Sequence, residues 1–372
     1  MSDDIPTPDQ APGAPHPRET QHLFGQTEAE QAFLSAYTSE RLHHGWLLTG
    51  PRGVGKATLA WRIARFLLAT PPAEDGLFGA PPPPETLEID PEHPVAHRIL
   101  AGAEPGLAAI TRSLNDQGRL RNEIVVDDIR KLGKFFGLSS ADGGRRVVIV
   151  DSADEMNVSA ANALLKMLEE PPARTTLLLV SHQPSRLLPT IRSRCRTLRL
   201  SPLGAEDMQA ALSQSGADLP AQADHLAALA AGSVGDAVRL INLGGLEIYA
   251  ELIAILGTLP RMDRQRALAL AEAAAQRGAA ERYDLLLTLI DVALSRLALT
   301  GATGAPPTPE AAPKEAETLT RLSSSQQQAR QWAEVAATIT ARARHGQAVN
   351  LDPAALVLDT VFKIQETAGQ SR

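Results

Sequence analysis

The stretch Gly50-Pro-Arg-Gly-Val-Gly-Lys56 decides the fold, because it matches the pattern GxxxxGK in the setting that this pattern requires. The apolar run Trp46-Leu-Leu-Thr49 comes directly before it, and a helical pattern from Lys56 to about Ala69 follows. A strand, a glycine-rich turn and a helix N-terminus form a phosphate-binding loop, in which backbone N–H groups surround phosphate oxygens and the lysine adds a positive charge. The residues predicted to bind nucleotide phosphates are Gly50, Gly53, Gly55 and Lys56.

Short apolar runs alternate with helical patterns around this loop. After the first run, the sequence predicts strands over residues 123–126, 146–150, 175–181 and 196–200. Buried strands that alternate with helices indicate a parallel sheet covered by helices on both faces. After Pro202 the pattern is helical only. The predicted fold class is therefore α/β, with a phosphate-loop parallel sheet flanked by helices and followed by all-α regions.

Changes in composition and pattern give the expected domain boundaries. Residues 1–20 contain five prolines and few apolar side chains, so we expect a disordered tail there. The α/β domain is expected over 21–202, with a Pro-rich insertion at 71–84. A small helical lid is expected over 203–245, and a helical C-terminal domain over 246–372.

Composition excludes several classes of function. The chain of 372 residues carries a net charge of −7, which disfavours a stand-alone nucleic-acid binder. Its single cysteine excludes a disulfide framework and a cysteine-rich zinc module within this sequence. The first residues lack the basic and apolar regions of a secretory signal, and no apolar run approaches the ~18 residues of a membrane span. We therefore expect a cytoplasmic protein with no membrane partner.

Groups that hydrolytic phosphate-loop enzymes use are missing from this site. The position after Lys56, where Ser or Thr holds Mg²⁺, is Ala57, and Thr58 is rotated by about 100° along the helix. Asp151 ends a strand, where a carboxylate holds Mg²⁺ through water, although a plain strand-end carboxylate is the alternative. The next residue, Ser152, cannot act as a general base at neutral pH, and losing such a base costs roughly 10²–10⁴ in rate. ATP or ADP is therefore the candidate ligand, with Mg²⁺ binding weakened and no ATPase activity expected of the chain alone.

Six segments occur in a characteristic order: Phe24-Gly-Gln26, Gly50 to Lys56, Asp151-Ser-Ala-Asp-Glu-Met-Asn157, Ala161-Asn-Ala-Leu-Leu-Lys166, Leu168-Glu-Glu-Pro-Pro172 and Ile191-Arg-Ser-Arg-Cys195. Together they resemble bacterial clamp-loader AAA+ subunits, and among these the delta-prime class. The resemblance covers about residues 22–245 and implies an AAA+ module, a helical lid and a C-terminal helical collar. It also implies a ring that loads the sliding clamp onto primed DNA, together with ATP-hydrolysing motor subunits and the clamp-opening delta subunit.

The resemblance gives Arg194 a catalytic role. In the family, the arginine of this Ser-Arg-Cys motif reaches the nucleotide site of the neighbouring subunit, where such a finger is worth roughly 10³–10⁵ in rate. A solvated or salt-bridged arginine at a strand end is the alternative. In the predicted lid, Gly235 stands where the family has a nucleotide-sensing arginine. The cysteines of the zinc site that many relatives carry are missing, so no zinc is expected.

Two further polar features lie near the ends of predicted elements. His182, after the fourth predicted strand, lies in the region from which relatives contact the γ-phosphate, and a structural turn residue is the alternative. Glu169 and Glu170 close a helix, where negative charge opposes the helix dipole. They fit a helix end better than an acid/base pair, but the sequence gives no reason for the charge.

We interpret the chain as a clamp-loader stator with a degenerate nucleotide site, which supplies Arg194 to a motor neighbour. Two alternatives stay open at this point. The chain is an active motor ATPase if Thr58 and Asp154 replace the missing groups. It is a phosphotransferase unrelated to replication if it has an acceptor pocket, although the helical C-terminal half offers no evident one.

Overall fold

The computed structural model describes residues 7–11, 13–39, 41–70, 82–137, 144–217, 220–276, 280–348 and 351–370. Within these residues the strands pair in parallel in the order β2-β3-β4-β1-β5. The predicted parallel sheet is therefore confirmed. The strands are β1 (Gly45–Thr49), β2 (Leu107–Ile110), β3 (Arg146–Asp151), β4 (Thr175–Ser181) and β5 (Arg196–Arg199).

Helices cover both faces of this sheet. Alternation along β1 divides its side chains between two apolar layers, since successive residues of a strand point to opposite faces. Trp46 and Leu48 lie in one layer with Ile63, while Leu47 lies in the other with Leu164. The helices of this part are α1 (Thr27–Thr38), α2 (Lys56–Ala69), α3 (Pro94–Leu100), α4 (Val126–Gly137), α5 (Val158–Glu169), α6 (Pro189–Arg192) and α7 (Ala205–Gln214).

The strand predicted at residues 123–126 is wrong. Within that stretch Ile124 makes an isolated bridge with Met156, and Val126 already begins α4. The second strand along the chain is β2, which pairs with β3 over its whole length. Its sequence Leu-Ala-Ala-Ile is short and rich in alanine, which has low β propensity, so the pattern gave little signal.

The segment predicted to be a disordered tail instead forms turns in its described residues. His16 is buried, with Nε2 3.1 Å from Oδ2 of Asp9. Its ring meets that of Trp61 edge-on, with 5.6 Å between the centroids. Arg65 of α2 donates a hydrogen bond to the carbonyl oxygen of Arg18 at 2.8 Å. Proline content indicated disorder, but buried polar groups on α2 need partners, and this segment supplies them.

The described residues divide into two units, and the predicted boundaries at 202 and 245 stay predictions. One unit is the chain up to Gly216 together with Gly232–Gly235, and the other comprises Ala217–Ala231 and Asp236–Arg372. Most of the Pro-rich insertion, residues 71–81, lies outside the described residues. The remaining helices are α8 (Ala223–Ala230), α9 (Val234–Leu243), α10 (Gly245–Gly257), α11 (Arg264–Ala274), α12 (Ala280–Thr303), α13 (Glu315–Leu322), α14 (Gln326–Ala348) and α15 (Pro353–Gln370).

Helix α12 contains an apolar stretch that the sequence analysis did not expect. It has 24 residues, and an 18-residue stretch within it has a mean hydropathy of 1.7, which meets the length and composition of a membrane span. Half of this apolar stretch is buried, and α12 packs against α10 and α14. Leu286, Ile290, Leu294 and Leu297 recur every three or four residues and are all buried. This spacing is typical of a core helix of its own helical unit.

Candidate functional site

The phosphate loop joins β1 to α2, as predicted. Its backbone takes the left-handed conformation at Gly50, Gly53 and Gly55, with φ of 146°, 70° and 97°. Lys56 begins α2 and is 3% exposed. Its Nζ donates a hydrogen bond to the carbonyl oxygen of Gly50 at 2.8 Å and another to that of Pro51. The lysine that should contact phosphate is therefore satisfied by carbonyl groups of its own loop.

Residues 232–235 close over this loop at Gly53. The backbone N–H of Gly235 donates a hydrogen bond to the carbonyl oxygen of Gly53, 3.2 Å away. A Cβ on Gly53 would collide with Oγ of Ser233, and a Cβ on Gly235 would lie 3.0 Å from Cα of Gly53. Only residues without side chains allow this approach. A side chain at the position that the resemblance assigns to a sensing arginine would therefore press on the loop backbone at Gly53.

Asp151 ends β3 in the same site. Burial disfavours the charged forms of both Asp151 and Lys56. Burial raises the pKa of Asp151 to about 7, although a hydrogen bond from Oγ of Ser152 at 2.9 Å opposes this. Burial also lowers the pKa of Lys56 to about 8, against the attraction of Asp151 and Asp154. Desolvation therefore outweighs the attraction between these opposite charges. Sequence reasoning placed Asp151 and Lys56 in one site, and the structure brings them together.

Ser152, the residue directly after Asp151, is held by two hydrogen bonds. It donates to Oδ1 of Asp151, so it accepts from Nε2 of His182, which lies 2.8 Å from its oxygen. Burial, with the nearby charge of Lys56, lowers the pKa of His182 to about 4. This histidine is therefore neutral at pH 7. Its backbone N–H donates to Oδ1 of Asp154 at 2.9 Å, so that carboxylate is part of the strand-end structure.

The sequence alone did not indicate the role of Gln26, which belongs to the segment Phe24-Gly-Gln26. The side chain is 4% exposed, and its Oε1 accepts from the backbone N–H of Ser201 at 3.1 Å. Its Nε2 donates to the carbonyl oxygens of Ser201 at 2.7 Å and Val54 at 3.2 Å. Gln26 thus ties the phosphate loop to the chain after β5. A glutamine before a helix gives no sequence signal for such distant partners.

Arg194 does not join this site. Its carbonyl oxygen lies 3.1 Å from where a Cβ of Gly45 would stand, at the amino end of β1. The phosphate loop follows the carboxyl end of that strand, and four rises of about 3.3 Å each between its first and last residues place the two ends ~13 Å apart. The guanidinium is partly exposed, donates to the carbonyl oxygen of Thr190 at 3.0 Å and pairs with Glu169 at 2.9 Å. Arg194 therefore belongs to a separate surface, distant from the chain's own loop.

A family model and several curated relatives that match this chain are subunits of DNA polymerase III. The family model described as "DNA polymerase III, delta subunit" matches residues 25–204. The DNA polymerase III subunit delta' of Pseudomonas aeruginosa is 38% identical over 226 residues, which are 60% of this chain and 64% of that protein. Its counterpart from Escherichia coli K12 is 30% identical over 271 residues, 72% of this chain and 74% of that protein. The subunit tau of Escherichia coli K12 is 28% identical over 292 residues, 74% of this chain and 40% of that protein. The chain thus spans slightly less than two thirds of the Pseudomonas relative.

Proposed function

The chain belongs to the delta' subunit family of the DNA polymerase III clamp loader, and we propose that it acts as the stator of such a complex. It takes its place in a ring with the motor subunits and the clamp-opening delta subunit, in the cytoplasm. The ring loads the sliding clamp onto primed DNA. The chain contributes Arg194 to the nucleotide site of a motor neighbour and does not itself hydrolyse ATP.

The observation that carries this proposal is the distance of Arg194 from the chain's own phosphate loop. An arginine finger stabilises negative charge on the transferring phosphoryl group, so its guanidinium must contact that group. The two ends of β1 lie ~13 Å apart, and the guanidinium of Arg194 is paired with Glu169 at the end away from the loop, which is too far for it to act on a nucleotide in its own loop. A partly exposed guanidinium on a fixed turn is suited instead to a nucleotide held by another subunit.

The residues of the chain's own loop do not fit a hydrolytic site for ATP with Mg²⁺. Lys56 donates to loop carbonyl groups, and Gly235 closes over Gly53. Ala57 cannot ligate Mg²⁺, and Ser152 cannot replace a general base. These contacts support a degenerate site, so we assign no step of ATP hydrolysis to this chain and propose no zinc.

ATP turnover by the purified chain tests this proposal. With Mg²⁺ and saturating ATP, we expect no turnover above that of a buffer blank. A motor subunit assayed alone under the same conditions serves as the positive control. Turnover of several per second by this chain alone would contradict the stator assignment and identify a motor.

A further inference from the structure

The structure gives a reason for the negative charge of Glu169, which the sequence alone does not explain. It is the last residue of α5, where a carboxylate faces the negative end of the helix dipole and is disfavoured. In the structure its Oε1 lies 2.9 Å from Nη2 of Arg194. The guanidinium places a positive charge directly beside this carboxylate. The unfavourable carboxylate therefore has a specific partner, which is the proposed finger.

A second contact holds the guanidinium at its other terminal nitrogen. Nη1 of Arg194 donates a hydrogen bond to the carbonyl oxygen of Thr190 in α6 at 3.0 Å. The backbone N–H of Arg194 donates a hydrogen bond to the carbonyl oxygen of Ile191 at 3.1 Å. This bond fixes the turn that carries the side chain. These side-chain contacts use two of the five N–H groups of a guanidinium. The planar group is thereby oriented, and donors are left for an anionic partner.

Gly45 sets the spacing between the two segments that carry this pair. A Cβ at Gly45 would lie 2.9 Å from Cδ2 of Leu168 and 3.1 Å from the carbonyl oxygen of Arg194. Leu168 directly precedes Glu169 and is buried against the sheet. The end of α5 and the Arg194 turn therefore both pack on the first residue of β1. Their separation is set by the core of the domain.

We propose that Glu169 is a positioning residue, which holds Arg194 in the orientation that contacts a phosphate group in the neighbouring subunit. This inference rests on the proposed function of Arg194. The side chains are 37% and 44% exposed, so a phosphate can reach the guanidinium while the pair stays formed. Ion pairs with this exposure contribute little to stability. Without Glu169 the arginine samples other rotamers, and those conformers do not contact the phosphate.

The test uses the complete complex, assembled with motor subunits, delta subunit, clamp and primed DNA. Glu169→Ala should lower kcat at the site that Arg194 contacts by about tenfold, less than the ~10²-fold that a misplacement of 1 Å can cost. The KM for ATP should stay constant, because the neighbour's own phosphate loop binds the nucleotide. Glu169→Gln keeps an oxygen acceptor and should recover most of the loss. Glu170→Ala, at the exposed next position, is the matched control and should leave kcat unchanged.

A double-mutant cycle distinguishes this inference from the function on which it rests. In an Arg194→Ala background, Glu169→Ala should have no further effect, because it acts through that arginine. If Arg194→Ala lowers turnover while Glu169→Ala leaves it unchanged or raises it, the positioning role is overturned and the finger stands. If Arg194→Ala itself changes nothing in an intact complex, both proposals fail.

Discussion

The backbone N–H of Gly235 donates a hydrogen bond to the carbonyl oxygen of Gly53, with 3.2 Å between nitrogen and oxygen. The start of α9 thus closes on the phosphate loop at the position to which the resemblance assigns a nucleotide-sensing arginine. A Cβ at position 235 would lie 3.0 Å from Cα of Gly53. The absence of a side chain at position 235 therefore allows the backbone to approach the phosphate loop this closely.

Gly235→Arg is expected to destabilise the chain. The new side chain meets the loop backbone at Gly53, and overpacking of this kind costs about 1–3 kcal/mol. Urea denaturation should report the lower free energy of unfolding. Gly204→Arg is the matched control, because a Cβ at Gly204 meets nothing within 4 Å. Equal stability of the two variants would contradict the close contact at Gly53.

Asp151→Asn is expected to change how stability depends on pH. The pKa of Asp151 is raised from 3.8 to about 7 in the folded chain, so the folded state keeps this proton where the unfolded state has lost it. The resulting stabilisation is complete below about pH 3.8 and is lost as the pH rises through 7. The free energy of unfolding of the wild type minus that of the variant should therefore fall between pH 4 and 7. Urea denaturation at several pH values measures this difference, and parallel curves would show that Asp151 is not buried as described.

Gln26→Ala is expected to weaken the attachment of the phosphate loop. The change leaves polar backbone groups of Ser201 and Val54 without their partner, and a buried unsatisfied group costs about 1–3 kcal/mol. Thermal or urea denaturation measures the loss. Gln209→Ala, at an exposed position of α7, should stay within about 0.5 kcal/mol of the wild type. A similar loss in both variants would mean that the effect is not specific to Gln26.

Arg296→Met is expected to destabilise the helical unit strongly. Arg296 pairs with Glu315 at 2.7 Å, and that carboxylate is 1% exposed and also accepts from the hydroxyl of Tyr249 at 2.6 Å. Removing one partner of a buried pair costs about 3–5 kcal/mol, because the other charge stays buried. Urea denaturation checks this, with Arg266→Met as control, since the exposed Arg266–Glu251 pair at 3.4 Å should contribute no more than about 1 kcal/mol. Losses of equal size would contradict the buried network.

The parts of the site that depend on local sequence could be predicted. The spacing of glycines before Lys56, between an apolar run and a helical pattern, specifies the loop by itself. Asp151 likewise follows from its place at the end of a β-branched run. Both predictions use residues that are neighbours in the chain, and the structure places both residues in one site.

The features that the sequence did not predict depend on contacts between residues far apart in the chain. Gln26 and Ser201 are 175 positions apart, and no periodicity links them. The strand β2 is alanine-rich and is recognised only by its pairing with β3. His16 lies in a proline-rich segment, yet it is buried against Trp61. Tertiary contacts decide these features, and a single sequence does not display them.

The most direct test of the stator assignment is ATP turnover by the assembled complex that carries Arg194→Ala in place of the wild-type chain. Gel filtration first shows that the variant complex has its full size. We predict that turnover at the site served by this arginine falls by about 10³-fold, the lower end of the range for an arginine finger. Unchanged turnover by a complete complex with primed DNA and clamp would contradict the assignment.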